Sequence, residues 1–173
     1  MAFTRLLTFF SSLMLCCSLG HACNAAIAAE VQKTLKESIR LNEAFKRAAD
    51  GSDDAEYRRL RKQVELYEES TAIPCLKRAV VLLHQTPDAL LLDALFAHAL
   101  SHENSADETE SEVLATVFVR HGGMFALRWE KNSTETKTAV AARVKSGWSM
   151  IASRYPSSKR RQVESRLKQI EPK

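Results

Sequence analysis

The sequence predicts an all-α fold, a single domain of about six to eight helices in which a leading antiparallel hairpin is followed by a compact helical cluster. Two observations carry this. Five Gly and four Pro in 173 residues are few breakers, against about 12% in an average chain. Apolar residues also recur at three- and four-residue steps along most of the length, the period of helices that each bury one face. Hydrophobic residues at 45%, charged residues at 27% and a net charge of +4 are globular composition, which excludes a disordered chain, a collagen and a multi-span membrane protein.

The first residues read as an address. Arg5 precedes an uncharged stretch over 6–19 and the small residues Gly20, Ala22 and Ala25, the layout of a cleavable export signal over 1–22, with the cut between 22 and 25. A 14-residue helix rises about 21 Å and is too short for a hydrocarbon core of about 30 Å, so no permanent transmembrane anchor is expected. Residues 26–173 are then the helical domain, exported to a periplasm or secreted. Loss of Cys16 and Cys17 with the signal leaves Cys23 as the intramolecular disulfide partner of Cys75 when cleavage falls before it. Lipid attachment at Cys23 is disfavoured by Gly20, where a lipoprotein signal carries an aliphatic residue.

In the first mature helix Ile27, Val31, Leu35, Ile39 and Phe45, with Ala48 and Ala49, form a buried stripe. Gly51 is expected to end it in a left-handed C-cap, and Ser52, Asp53 and Asp54 to open a second helix with the seam Tyr57, Leu60, Val64 and Tyr67. Pro74 is read as an interruption before a short third helix through Leu76, Ala79, Val80 and Leu83. Thr86 as N-cap and Pro87 at the first helical position open a fourth, so apolar over 90–100 that it belongs at the core's centre. Ser105 and Glu108 form a capping box for a fifth helix ending at Gly122-Gly123, before a short segment with Met124, Phe125, Leu127 and Trp129. Asn132, with Glu135 three residues on, caps a helix carrying Val140, Val144, Trp148 and Ile151, with Gly147 where another helix comes close. Pro156 and Ser157 start the last helix, through Val163, Leu167 and Ile170. No repeat of fixed period appears.

Chemistry-bearing motifs are sparse. His98 and His102, four apart, share one helical face and could both reach a metal, zinc being the ion such a pair takes. Ala99 follows the first histidine where a metalloprotease needs Glu, and His84 or His121 completes a ligand set only if another helix lies alongside. Ser101 lacks a nucleophile turn, Cys75 lies beside an apolar run, and Gly122-Gly123 lacks the third glycine and lysine of a phosphate loop. No catalytic residue and no required cofactor follow. Trp129, Trp148 and Tyr155 read as core, and the sequon at Asn132 as the helix cap already given.

Charge is uneven. From Lys137 to Lys173 ten Lys and Arg stand against Glu164 and Glu171, while Glu103, Asp107, Glu108, Glu110 and Glu112 crowd the start of the fifth helix. Such poles suit helix dipoles and can attract each other within the fold. Read as docking faces, they select Lys159, Arg160, Arg161 and Arg166 on one side and Glu108, Glu110 and Glu112 on the other. Nucleic acid is excluded as partner by the lack of interleaved aromatics or a known motif. The leading expectation is an exported, non-catalytic protein-binding module (an adaptor, inhibitor or immunity-type neutraliser) facing another protein or an anionic envelope surface. The alternative is a metal-binding protein using His98 and His102.

Overall fold

The computed structural model describes residues 24–51, 53–103 and 108–171. The expected export signal, Cys23 and the Ser105 cap lie outside them. All-α architecture holds: α1 (Ala2–Ala49), α2 (Asp54–Tyr67), α3 (Ile73–Gln85), α4 (Ala89–Ser101), α5 (Glu108–Glu130), α6 (Thr134–Ile151) and α7 (Ser157–Leu167) build one compact domain with no strand among the described residues. Among the described residues no helix is long and apolar enough to cross a membrane.

The leading hairpin forms as its seams dictate. Phe45 stacks on Tyr57 at 5.2 Å, Leu60 is buried, and the Tyr67 hydroxyl donates to the Thr34 carbonyl at 3.3 Å. Its turn differs from expectation. No glycine described has a positive φ, so Gly51 makes no left-handed cap, and the Asp53 carboxylate caps α2 by accepting from the Ala55 and Glu56 amides.

Pro74 does not interrupt the chain. Between α2 and α3 residues 68–72 form a wide π turn, in which the Ile73 amide bonds the Glu68 carbonyl five residues back. Proline has no amide to return to residue 70 and its ring crowds that carbonyl, so the helix widens just before it instead of breaking. This turn presents Glu68 to the interior.

Helix α4 is central, as its composition predicts, with Leu91, Leu92, Leu95, Phe96 and Ala99 fully buried. Its N-cap is Asp88, accepting from Leu90 and Leu91 amides, while Thr86 terminates α3. The helix α4 stripe Leu91, Leu95, His98 and His102 and the α1 stripe Val31, Leu35, Ser38 and Asn42 are both buried, and the two helices pack in parallel, with Ser38 beside both histidines and Asn42 bonded to Ser101. Both stripes follow the same spacing and turn from apolar to polar at the same level. That coincidence creates the polar centre of an otherwise apolar core.

Helices α5 and α6 form an antiparallel pair sealed by Trp129, whose indole donates to the Lys137 carbonyl at 3.2 Å. Gly147 is the close approach the sequence foresaw: a Cβ there would fall 1.9 Å from the Ser111 carbonyl oxygen. The glycine pair after His121 kinks α5 instead of ending it. His121 takes φ −119° and ψ 33°, and the Arg166 guanidinium lies over Gly122, donates to the Phe118 carbonyl at 2.8 Å and sits above the Phe118 ring. Arg166 thereby ties α7 to α5 at the kink through the Phe118 carbonyl. At the end of α5 the Asn132 amide donates to the Arg128 carbonyl, and Ser133, one residue later than expected, caps α6. Trp129 and Trp148 are buried, with Trp148 beside Tyr155 at 5.7 Å. Cys75 is a free, buried thiol, raised in pKa by burial.

Candidate metal centre

Four elements converge on the polar centre: Ser38 from α1, Glu68 from the π turn, His98 and His102 from the end of α4, and Glu110 from the first turn of α5. Helical spacing places the two imidazoles one turn apart, stacked at 4.1 Å with their planes 13° from parallel. Their side chains are 1% and 7% exposed, so every ring nitrogen needs a partner within the protein.

Those partners fix the tautomers. His98 Nδ1 contacts Glu110 Oε1, and His102 Nδ1 lies 3.0 Å from the His98 carbonyl. A carboxylate and a carbonyl only accept, so both Nδ1 atoms carry hydrogen and neutral rings present both Nε2 lone pairs to the far side. On that side Glu68 Oε1 is 3.3 Å from His102 Nε2, and Glu68 Oε2 is 3.9 Å from His98 Nε2. The ligand atoms of the three residues all lie within 4.8 Å of one another. Ser38 Oγ stands among them, 2.9 Å from His98 Nε2, 3.4 Å from His102 Nε2 and hydrogen-bonded to Glu68 Oε1.

Counting protons shows what is missing. Among the described residues, two imine nitrogens and a carboxylate, all acceptors, face one hydroxyl hydrogen, that of Ser38. A positive species must complete the set, either a proton on an imidazole or a cation. Arg143 does not serve, because its Nε faces Glu110 Oε2 at 3.3 Å and its Nη2 donates to the His102 carbonyl. Glu110 and Arg143 balance each other, which leaves the Glu68 charge for the histidines.

In the ion-free protein the proton answers. Burial lowers the His102 imidazole but the Glu68 carboxylate prevails and holds its pKa above the ordinary 6.5; burial raises Glu68 but His102 and Ser38 hold it below 4.5. The His102 contribution to stability is complete below pH 6.5 and is lost as pH rises through its raised folded value. The Glu68 contribution is complete above 4.5 and is lost as pH falls through its lowered folded value. With chelator present, the urea midpoint of wild type minus that of Glu68→Gln is therefore expected to be largest between about pH 4.5 and 6.5 and to shrink on either side. A difference flat from pH 4 to 9 would show that the pair makes no such contribution.

The Ser38–His98–Glu110 contacts also have the connectivity of a hydroxyl, base and carboxylate relay. Ser38 is 0% exposed, in mid-helix, so no substrate carbonyl reaches its oxygen.

The sequence expectation thus named His98 and His102 of this cluster and did not bring Ser38, Glu68 or Glu110 to them. His84 and His121 do not join the centre; their rings pair with each other at 5.8 Å. Ser101 contributes structure, its carbonyl accepting from Asn42 Nδ2 at 2.7 Å and Lys46 Nζ at 2.6 Å. Two of the expected docking residues are corrected. Glu110 is 1% exposed inside the centre, and Arg166 is spent on the kink of α5. Charge here serves the interior because each residue falls on a core-facing position of its helix. Glu108, Arg160 and Arg161 are exposed; Lys159 bonds Gln162 and Arg160 bonds Ser157 within α7, and Glu112 pairs with Arg154 at the surface. The disulfide expectation falls on Cys23, outside the described residues.

No family model, curated protein or solved structure matches the chain. The reading of the centre rests on its own geometry.

Proposed function

We propose that this is a metal-binding protein that holds one divalent ion of zinc type through Glu68, His98 and His102. The observation that carries the reading is the convergence of two imidazole lone pairs on one carboxylate, with both opposite ring nitrogens committed to acceptors. Imidazole nitrogen with carboxylate oxygen suits zinc and its neighbours. The His98–Glu110 contact is the outer support that orients a ligating imidazole and raises its basicity, and Arg143 in turn holds Glu110. The core position gives the ion a stabilising role without any reaction, because a ligand that binds only the folded chain stabilises it.

The test is metal analysis after purification without chelator, followed by zinc titration of the stripped protein. One equivalent is expected in the wild type and none in the His98→Gln/His102→Gln double variant. Glu110→Gln, which touches no ion, should retain the stoichiometry but bind about 10- to 100-fold more weakly. Equal, sub-stoichiometric uptake by wild type and double variant would end the proposal.

A further inference from the structure

Three protein atoms leave open what completes the coordination sphere, and the remaining neighbour is a side chain. Ser38 Oγ lies 2.9 Å from His98 Nε2 and 3.4 Å from His102 Nε2, and hydrogen-bonds Glu68 Oε1; His102 Nε2 lies 3.3 Å from that same oxygen. A tetrahedron with metal bonds of about 2.0 Å has edges of about 3.3 Å. Two of these spacings match that edge, the 2.9 Å spacing is slightly short, and the Ser38–Glu68 edge is the one drawn in by a hydrogen bond that an ion would replace.

Resting on the metal-binding reading above, we infer that Ser38 is the fourth ligand, so that the centre is a closed Ser–Glu–His–His site of structural type. Ser38 and Val31, Leu35 and Leu41 along the same helix are buried, and the hydroxyl occupies the position that a catalytic metal keeps for water. The ion then ties α1 through Ser38, the π turn through Glu68 and the end of α4 through both histidines. These three segments are 30 or more residues apart, and cross-linking them is a large stabilising constraint.

Cobalt(II) in place of zinc reports the ligands directly. Wild-type protein loaded with cobalt(II) is expected to show the strong visible bands of a tetrahedral ion, unmoved by added azide. Ser38→Cys should add a thiolate-to-cobalt charge-transfer band in the near ultraviolet, which only a sulfur bonded to the metal produces. Ser38→Ala should bind cobalt at least tenfold more weakly and, with water in the vacated position, should change its spectrum with azide. Full cobalt uptake by wild type, with azide-sensitive bands and no charge-transfer band in Ser38→Cys, would overturn the Ser38 assignment and leave the three-ligand reading standing. No uptake by wild type would overturn both. Should circular dichroism show Ser38→Cys unfolded, the azide response of wild type against Ser38→Ala decides the matter alone.

Discussion

Gly147→Ala is expected to destabilise the domain by about 3 kcal/mol, at the top of the usual range for overpacking. At Gly147 an added Cβ would meet Ser111 oxygen at 1.9 Å and Ser111 carbonyl carbon at 2.3 Å, with Ala115 Cβ at 2.9 Å. The obstacle is backbone, so no rotamer change relieves it; α5 and α6 must separate along their whole contact. Val113, Leu114 and Val117 of α5 and Val140 and Val144 of α6 are all buried in the same core cluster. In a domain of this size the loss should lower the melting temperature by about 6–12 °C. Gly123, on the partner helix α5, has open space around its missing Cβ, and Gly123→Ala should be neutral or stabilising because alanine favours helix. Equal melting temperatures for the two variants would contradict the close crossing. The proposed ion site offers an internal check, since Arg143 lies one turn before Gly147 and contacts Glu110 across the same interface. Separation of the helices in Gly147→Ala should weaken metal binding as well.

How far the chain can be read without its coordinates depends on what each residue answers to. Helix identity, the hairpin, the central place of α4 and the Gly147 approach are local or periodic facts, and periodicity exposes them. The centre was half legible. His98 and His102 announce themselves by spacing, and Ser38 and Asn42 continue the Val31–Leu35 stripe at the same period, a polar extension of a buried face that is a signal in itself. Glu110 stands three and four residues before Val113 and Leu114, Arg143 three after Val140, and Arg166 three after Val163. Each is a charge on a core-facing position. Reading them by charge alone put Glu110 and Arg166 on the surface; reading them by phase puts them inside. Glu68 carried no such mark. Its direction is set by a π turn, itself a response to Pro74 six residues on, and the 3.6-residue period fails across it.

Removal of Arg143 is expected to cost about 3–5 kcal/mol, because it strands a buried carboxylate. Glu110 is 1% exposed, with Oε1 against His98 Nδ1 and Oε2 facing Arg143 Nε. In Arg143→Met the apolar stem is kept while the guanidinium is lost, so Glu110 must take a proton or drag in water, and the His102 carbonyl loses a donor. Glu110→Gln made in that background removes the stranded charge while its amide oxygen still accepts from His98 Nδ1. The double variant should therefore be more stable than Arg143→Met alone, by about 1–3 kcal/mol. Urea midpoints of wild type, both single variants and the double variant, measured in chelator, give the coupling free of any ion. Additive losses would mean that the two charges do not compensate each other. The same four proteins titrated with zinc then separate support from ligation. In the proposed site Arg143 and Glu110 reach the ion only through His98 and His102, so every variant should keep one binding equivalent while its affinity falls. A lost equivalent in Glu110→Gln would instead make Glu110 a ligand and move the ion to the other side of His98.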